Sequence, residues 1–483
     1  MSDALKLKKI DDYTWEIPKT GGMRVPGRIY ADETLLKSIV RDNCAQQIIN
    51  VAHLQGIVRY SIAMPDAHWG YGFPIGGVAG TDVSEGGVIS PGGVGYDINC
   101  GCRVLATSLR HADVKDRMEK IVNSLYAGVP CGVGSSGAIS KLSVGDLKKL
   151  LRAGAGWAVK NGYGSGSDLE RTEEKGALEM ADPDALSERA LERGRNQVGT
   201  LGSGNHFLEM GVVERVFNSD VARAFGLEEG QITVMIHSGS RGLGYQVCDD
   251  SLKVMQRAVE KYHLRIPDRQ LACAPVESPE GRRYLGAMSA AANYAWANRQ
   301  VMMALAERAL VRALGASPGE LGLRLVYDVC HNIAKIERHK VEGEEKTLCV
   351  HRKGATRAFP PGHPDVPAPY KGVGQPVLVP GDMGTGSFVC VGAQEAMDES
   401  FGSACHGAGR MMSRTKAIKR SKGRNIDREL EQQGIVVKAR GRKTLAEEMP
   451  EAYKDVDAVV DVMHAAGICR KVVRIRPLGV VKG

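Results

Sequence analysis

The sequence predicts an irregular α+β fold: one catalytic domain over residues 1–483, with mixed β-sheets and peripheral helices. Three observations predict it. Short β-branched runs stand beside glycine clusters, one long segment has helical composition, and strands and helices do not alternate as regular βαβ units. The last of these argues against a doubly wound sheet. Glycine is abundant, at 59 of 483 residues, and gathers in GGVAGTDVSEGGVISPGGVGYDINCG, GTLGSGNHF, HSGSRGLG, PGDMGTGSF and CHGAGR. Glycine permits left-handed backbone and close approach to a ligand. Clusters that recur along the whole chain read as loops converging on one site, hence one domain rather than several joined by linkers.

The strands are expected in ITVMIHSG, LRLVYDV, PVLVPG and GIVVKARG. Helices are expected over 284–314, 184–195 and 426–434. The first is rich in Ala, Leu, Met and Arg, and Gly315 and Pro318 mark its stop. Its Ala and Met residues read as core.

Bulk properties exclude some classes. The chain is 43% hydrophobic and 25% charged, an ordinary globular balance. No apolar stretch reaches the ~20 residues a bilayer crossing needs. The N-terminus lacks the apolar run of a signal peptide, so a cytoplasmic protein is expected. Eleven cysteines without regular spacing do not read as a disulfide framework. The formal charge of +8 is concentrated in RMMSRTKAIKRSKGR and the tail RKVVRIRPLGVVKG. That suits an anionic partner, although a solvated basic surface looks the same. Aromatic residues are only 5%, so nothing in the composition announces a base-stacking surface.

Chemistry gathers at five places. Gly95-Tyr96-Asp97-Ile98-Asn99-Cys100-Gly101 sets a carboxylate and a thiol three residues apart in a glycine-flanked loop, able to wrap both onto one ion. Alone, it reads equally as a turn Asp and a buried Cys. His206 follows the loop GTLGSGN and precedes Glu209. His237 ends the apolar run VMIH, His331-Asn332 ends LVYDVC, and His406 follows SAC. Singly, each His reads as a satisfied, partly buried residue. Together they sit where apolar segments meet polar loops, the positions at which rigid scaffolds present functional groups. One Asp, one Cys and three His suffice for a two-metal site with a bridging thiolate. Ligand type favours zinc, while the carboxylate and an anionic substrate leave manganese open. The P-loop, the Lys-x-Asp-Gly motif and the Gly-x-Ser-x-Gly elbow are all missing.

From MPDAHWGYGFPIGG to Lys482, the motifs GGVGYDINCG, GTLGSGNHFLE, HSGSRGLG, CHN, PGDMGT, SACHGAGR and VVKG resemble, in order, those of the RtcB RNA ligases. The resemblance implies two Mn²⁺ ions. Asp97, Cys100 and His206 would hold one, and Cys100, His237 and His331 the other. It implies His406 as the nucleophile that takes GMP from GTP. Asn205, Glu209, Asn332, Ser387, Gly407, Gly409, Tyr453 and Lys482 match nucleotide-binding positions, with backbone around Pro380–Met383 alongside. Arg241, Arg193, Lys353 and Arg414 match positions that grip RNA or its phosphates. Asp382 stands where the family motif commonly has Ser and is left out of the expected site. The implied activity joins an RNA 3′-phosphate or 2′,3′-cyclic phosphate to a 5′-hydroxyl, in tRNA splicing or RNA repair. The expected partners are RNA, GTP and the helper archease, with no membrane, and the expected state is a monomer. Two competing readings remain. A binuclear phosphoesterase would need the metal ligands but not His406 or GTP, and a non-catalytic RNA binder would need neither metal nor nucleotide.

Overall fold

A computed structural model describes residues 6–483. Two large, mostly antiparallel sheets form its frame. A seven-stranded sheet runs in the order Lys8–Lys9, Thr14–Ile17, Gly27–Tyr30, Ser61–His68, Ile75–Asp82, Glu344–Lys353 and Asn332–Val341. An eight-stranded sheet runs Arg324–Cys330, Gly101–Arg110, Gln231–Ser238, Phe207–Val216, Cys469–Lys482, Ser387–Gly392 and Pro376–Val379, with Val436–Ala439 added in parallel to Cys469–Lys482. The mixed α and β content, without βαβ repetition, agrees with the fold class read from the sequence.

The four expected strands all form: Gln231–Ser238, Arg324–Cys330, Pro376–Val379 and Val436–Ala439. The expected long helix spans Pro279–Leu314. Ser278 caps it by accepting the Gly281 N–H, Pro279 occupies the first turn, and Gly315 ends it at φ 69°. Its Ala-rich surface is buried nearly all round, as its composition implied. The helices Glu188–Gly194 and Ile426–Gln432 fall within the other two expected spans. No helix among the described residues is long and apolar enough to cross a membrane. All eleven cysteines are free and buried.

Sheet register determines where the chemistry lies. In the eight-stranded sheet Cys330 pairs with Gly101, Gly101 with Ser238, Phe207 with His237, and Lys482 with Phe207. Strand direction alternates across this row. The end of one strand (Cys330), the start of the next (Gly101), the end of a third (Ser238), the start of a fourth (Phe207) and the end of a fifth (Lys482) therefore share one edge. Residues flanking those five termini converge. His331 also links this sheet to the seven-stranded one, since Arg324–Cys330 passes through it into Asn332–Val341.

Candidate functional site

The thiol of Cys100 is the hub. Its Sγ lies 3.3 Å from Nε2 of His206 and 3.3 Å from Nε2 of His237. Nε2 of His206 is 2.7 Å from Asp97 Oδ2, and Nε2 of His237 is 3.3 Å from Nε2 of His331. Two donor groups result, Asp97–Cys100–His206 and Cys100–His237–His331, each with all its ligating atoms within 4.8 Å of one another. They share the Cys100 sulfur. Close backbone approach makes this compactness possible. A Cβ on Gly202 would stand 2.0 Å from His206 Nδ1, and one on Gly239 would stand 2.2 Å from Asp97 Oδ1.

The loop itself is held from below. Asn99 adopts φ 52°, a left-handed conformation that Asn tolerates. Arg299, from the long helix, donates to Asn99 O (2.8 Å), Asn99 Oδ1 (2.9 Å) and Ser238 O (2.9 Å), and pairs with Asp328 at 2.7 Å. Arg103 donates to the same Asp328 at 2.8 Å. Arg103, Arg299 and Asp328 are fully buried, so this network fixes the Cys100 loop against the end of the His237 strand.

The electrostatics suit cation binding. Burial, then neighbouring imidazoles, push His237 and His331 well down, leaving them neutral lone-pair donors. Burial pushes the Asp97 carboxyl up, but His206, together with Cys100 and Arg241, outweighs this and holds it at about 2. Burial and the Asp97 charge push the Cys100 thiol well up. A divalent cation reverses that last effect, because a coordinating thiol is deprotonated. Nδ1 of His206 and Nδ1 of His331 have no hydrogen-bond partner among the described residues.

His406 follows the short strand Ser403–Cys405, and its ring centroid is 4.9 Å from that of His331. Its Nδ1 is 2.6 Å from Oδ2 of Asp66, which also accepts the His406 backbone N–H at 3.0 Å. With Nδ1–H donated to Asp66, the lone pair remains on Nε2. Asp66 is fully buried and was not singled out in the sequence. The available signal was a charge inside the apolar run SIAMPDAH, which forms a buried strand.

Beside these groups opens a cavity of about 400 Å³. Of the expected nucleotide positions, Asn205, Glu209, Asn332, Gly407, Gly409, Tyr453 and Lys482 line it. Glu209 is buried with Oε1 unpartnered, and burial, reinforced by Asp382, pushes it up to about 8. Lys482 is buried, donates to Gly204 O at 3.0 Å, and lies in a paired strand rather than a loose tail. Tyr453 bonds Glu448 and accepts from Arg410 at 3.2 Å. Buried Glu448 also faces Arg410 (3.2 Å), Arg414 (3.4 Å) and Lys482 (3.9 Å), a cluster that sequence spacing did not reveal. Burial pushes Glu448 up, but these cations outweigh it and hold the group low.

Two expected residues engage the protein's own backbone. Asn332 uses its amide on the loops, donating to Asp97 O (3.0 Å) and accepting from Gly354 N (2.9 Å). Ser387 lies behind the cavity wall, where its hydroxyl accepts the Gly381 N–H at 3.1 Å. Asp382 closes its own turn, accepting from Gly384 N (2.7 Å) and Thr385 N (3.1 Å).

Among the expected RNA contacts, Arg414 and Lys353 line the cavity, and Arg414 is half exposed. The Lys353 ammonium donates to the carbonyls of Tyr71, Phe73 (3.3 Å) and Gly92 (3.1 Å), and burial pushes it down to about 7. Arg193 and Arg241 stand outside the cavity wall. Arg241 bonds Thr200 Oγ1, Gly132 O and Ser135 Oγ at 3.2, 3.2 and 3.3 Å, and Arg193 bonds Gln246 Oε1 at 3.1 Å.

The family model described as "tRNA-splicing ligase RtcB" matches residues 47–483. A protein of Archaeoglobus fulgidus named tRNA-splicing ligase RtcB is 55% identical over 479 residues, covering 99% of each chain. One of the same name from Thermococcus kodakarensis is 52% identical over 484 residues, covering 100% of each. The RNA-splicing ligase RtcB of Mycobacterium tuberculosis is 50% identical over 438 residues, 90% of this chain and 100% of that one.

Proposed function

The chain belongs to the tRNA-splicing ligase RtcB family, and from that premise we propose that it is a GTP- and manganese-dependent RNA ligase. It joins RNA ends carrying a 3′-phosphate or 2′,3′-cyclic phosphate to 5′-hydroxyl ends, through a GMP-histidine at His406. The observation that carries this reading is the pairing of His406 with buried Asp66, one ring away from a thiolate-centred donor cluster. A phosphoesterase needs the donor cluster alone. A nucleotide-accepting histidine needs one nitrogen tied back and the other free.

Asp97, Cys100 and His206 would hold one Mn²⁺, and Cys100, His237 and His331 the second. When bound, such ions neutralise phosphate charge and so lower the barrier to displacement at phosphorus. Asp66 accepts the Nδ1 proton and orients the imidazole, so that Nε2 of His406 attacks the α-phosphorus of GTP. An N–P bond forms and the P–O bond to pyrophosphate breaks. An oxygen of the RNA 3′-phosphate, formed from a 2′,3′-cyclic end when water adds to phosphorus and the P–O2′ bond breaks, then attacks the same phosphorus, freeing His406 and leaving an RNA 3′-end capped with GMP. The 5′-hydroxyl attacks the capped 3′-phosphorus, and GMP leaves. Glu209, among the described residues the one buried carboxyl on the cavity wall with an unpartnered oxygen, suits the N–H edge of guanine, whose donors would favour its ionised form. Lys482, Arg410 and Arg414, which also line the cavity, offer positive charge to the phosphates. Eleven free thiols fit a reducing, cytoplasmic compartment.

The test uses an RNA ending in a 2′,3′-cyclic phosphate and a second RNA starting with a 5′-hydroxyl. GTP and Mn²⁺ are supplied together, singly or not at all. A joined product that requires both is the expected result. Opening of the cyclic phosphate without joining, indifferent to GTP and unchanged by added archease, would support the phosphoesterase instead.

A further inference from the structure

Glu448 is a fully buried carboxylate on the wall of the cavity that His406 also lines. It follows the short helix Arg442–Glu447 and reaches three other segments of the chain. Arg410, in the loop after His406, lies 3.2 Å away. Arg414, the first residue of the Arg414–Arg420 helix, lies at 3.4 Å, and Lys482, at the end of the last strand, at 3.9 Å. The Tyr453 hydroxyl donates to it as well. A charge taken wholly out of water is costly unless it is paired, and here a single carboxylate meets three cations. The cluster therefore keeps a surplus of positive charge.

The three cations are not equally committed. Arg410 is spent on the protein, donating from Nε to Met412 O (3.1 Å) and from Nη2 to Glu447 O (2.8 Å), besides Nη1 to Tyr453 and Glu448. Arg414 donates through Nε to Glu448 alone among the described residues, so both of its Nη groups keep their donors. Gly204 closes the other side of this guanidinium, for a Cβ there would stand 2.5 Å from Arg414 Nη2. Lys482 donates to the carbonyl of the same Gly204, which leads through Asn205 to His206. Among the described residues, Glu448 is the one carboxylate within 4.0 Å of either Arg414 or Lys482. Burial pushes the Lys482 ammonium down. Glu448 and then Asp382 oppose this, while Arg410 and Arg414 add to it. Glu209 feels the Lys482 charge from the neighbouring strand.

We propose that Glu448 is a positioning residue for the nucleotide: it holds the Arg414 fork and the Lys482 ammonium against Gly204, in place on the cavity wall before the nucleotide arrives. The inference rests on the GTP-dependent ligase reading. Donors fixed in advance need no reordering when the ligand binds, and they act where water is excluded. Without the carboxylate, the half-exposed Arg414 has solvent to turn to, and the buried Lys482 meets like charges alone from Arg410 and Arg414. Loss of Glu448 therefore weakens nucleotide binding, although it makes the formal charge of the wall more positive.

Glu448→Gln keeps the shape and the acceptor for Tyr453 and removes the charge. The test measures affinity for the α,β-methylene analogue of GTP, which cannot release pyrophosphate, with Mn²⁺ present, at pH 7 and at pH 8.5. Thermal midpoints report folding. The variant is expected to bind about tenfold more weakly than wild type at pH 7. The deficit should widen at pH 8.5, because Lys482 without Glu448 gives up its proton at a lower pH. Ionisation of the analogue is common to both proteins and cancels in that ratio. Should the single variant not fold, Glu448→Gln combined with Arg410→Gln removes one charge of each sign. Compared with Arg410→Gln alone, it carries the same expectation. A folded variant that binds as tightly as its reference, or more tightly, would overturn the proposal. So would a deficit equal at both pH values, the signature of a merely structural role. A wild type that binds no analogue would overturn the GTP-dependent reading itself.

Discussion

Asp66 Oδ2 and His406 Nδ1 lie 2.6 Å apart although 340 residues separate them in sequence. The bond brings the fourth strand of the seven-stranded sheet against the loop that carries the proposed nucleophile, and it fixes which imidazole nitrogen is free. Asp66→Asn keeps the volume and can favour the wrong tautomer. Transfer of labelled GMP from GTP to the protein should fall by about 10²–10⁴, the range for loss of a positioned acid–base partner. Metal content should stay at the wild-type level. Unchanged labelling would remove Asp66 from the mechanism.

Cys100 belongs to both donor groups, so its loss should affect both together. Cys100→Ser protein, measured by elemental analysis after dialysis against Mn²⁺, should retain less than half the wild-type metal, whereas His406→Ala should retain all of it. Full loading of a folded Cys100→Ser variant would contradict the shared-thiolate arrangement.

Glu209 predicts a pH signature. Burial raises its carboxyl to about 8, against 4.5 when free. Between those values the folded state holds a proton that the unfolded state has lost, so this group's contribution to stability declines as pH rises from about 4.5 to 8. Glu209→Gln removes that term. Its nucleotide-free thermal midpoint, relative to wild type, should rise from pH 5 to pH 8, while its affinity for GTP falls. A midpoint difference that is flat across that range would show that the carboxyl is not held neutral.

Lys482 is buried at the end of a paired strand, with its ammonium on Gly204 O and near Glu448. Lys482→Met preserves the packing of the aliphatic stem and removes the charge. GMP transfer should drop at least tenfold, with the thermal midpoint nearly unchanged. A chain lacking 482–483 should lose both activity and stability, because Gly483 is buried and packs directly against Gly202.

Arg299 is expected to matter by holding the loop that carries Asp97 and Cys100. Arg299→Met leaves the Asp328 carboxylate with only Arg103 and frees the Asn99 carbonyl. Breaking a buried pair in this way costs roughly 3–5 kcal/mol. Chemical denaturation should show that loss, and Mn²⁺ affinity should weaken with it.

The site was legible in the sequence where chemistry is local. His237 and His331 each end an apolar run, His206 follows a glycine loop, and Asp97 and Cys100 share one loop, so strand ends and glycines mark all five. The long helix was legible because cap, composition and stop agree. What the sequence hid depends on contacts between distant segments. Asp66 reads as an oddity in a core strand until the fold delivers His406 to it. Glu448 becomes part of the site only when Arg410, Arg414 and Lys482 gather round it.

The most direct measurement is peptide mass spectrometry of the protein after incubation with GTP and Mn²⁺, with no RNA present. The account predicts a GMP adduct on His406, absent when Mn²⁺ is withheld and absent in His406→Ala. A protein that joins RNA with GTP yet carries its GMP on a lysine, or carries none at His406, would contradict the central claim.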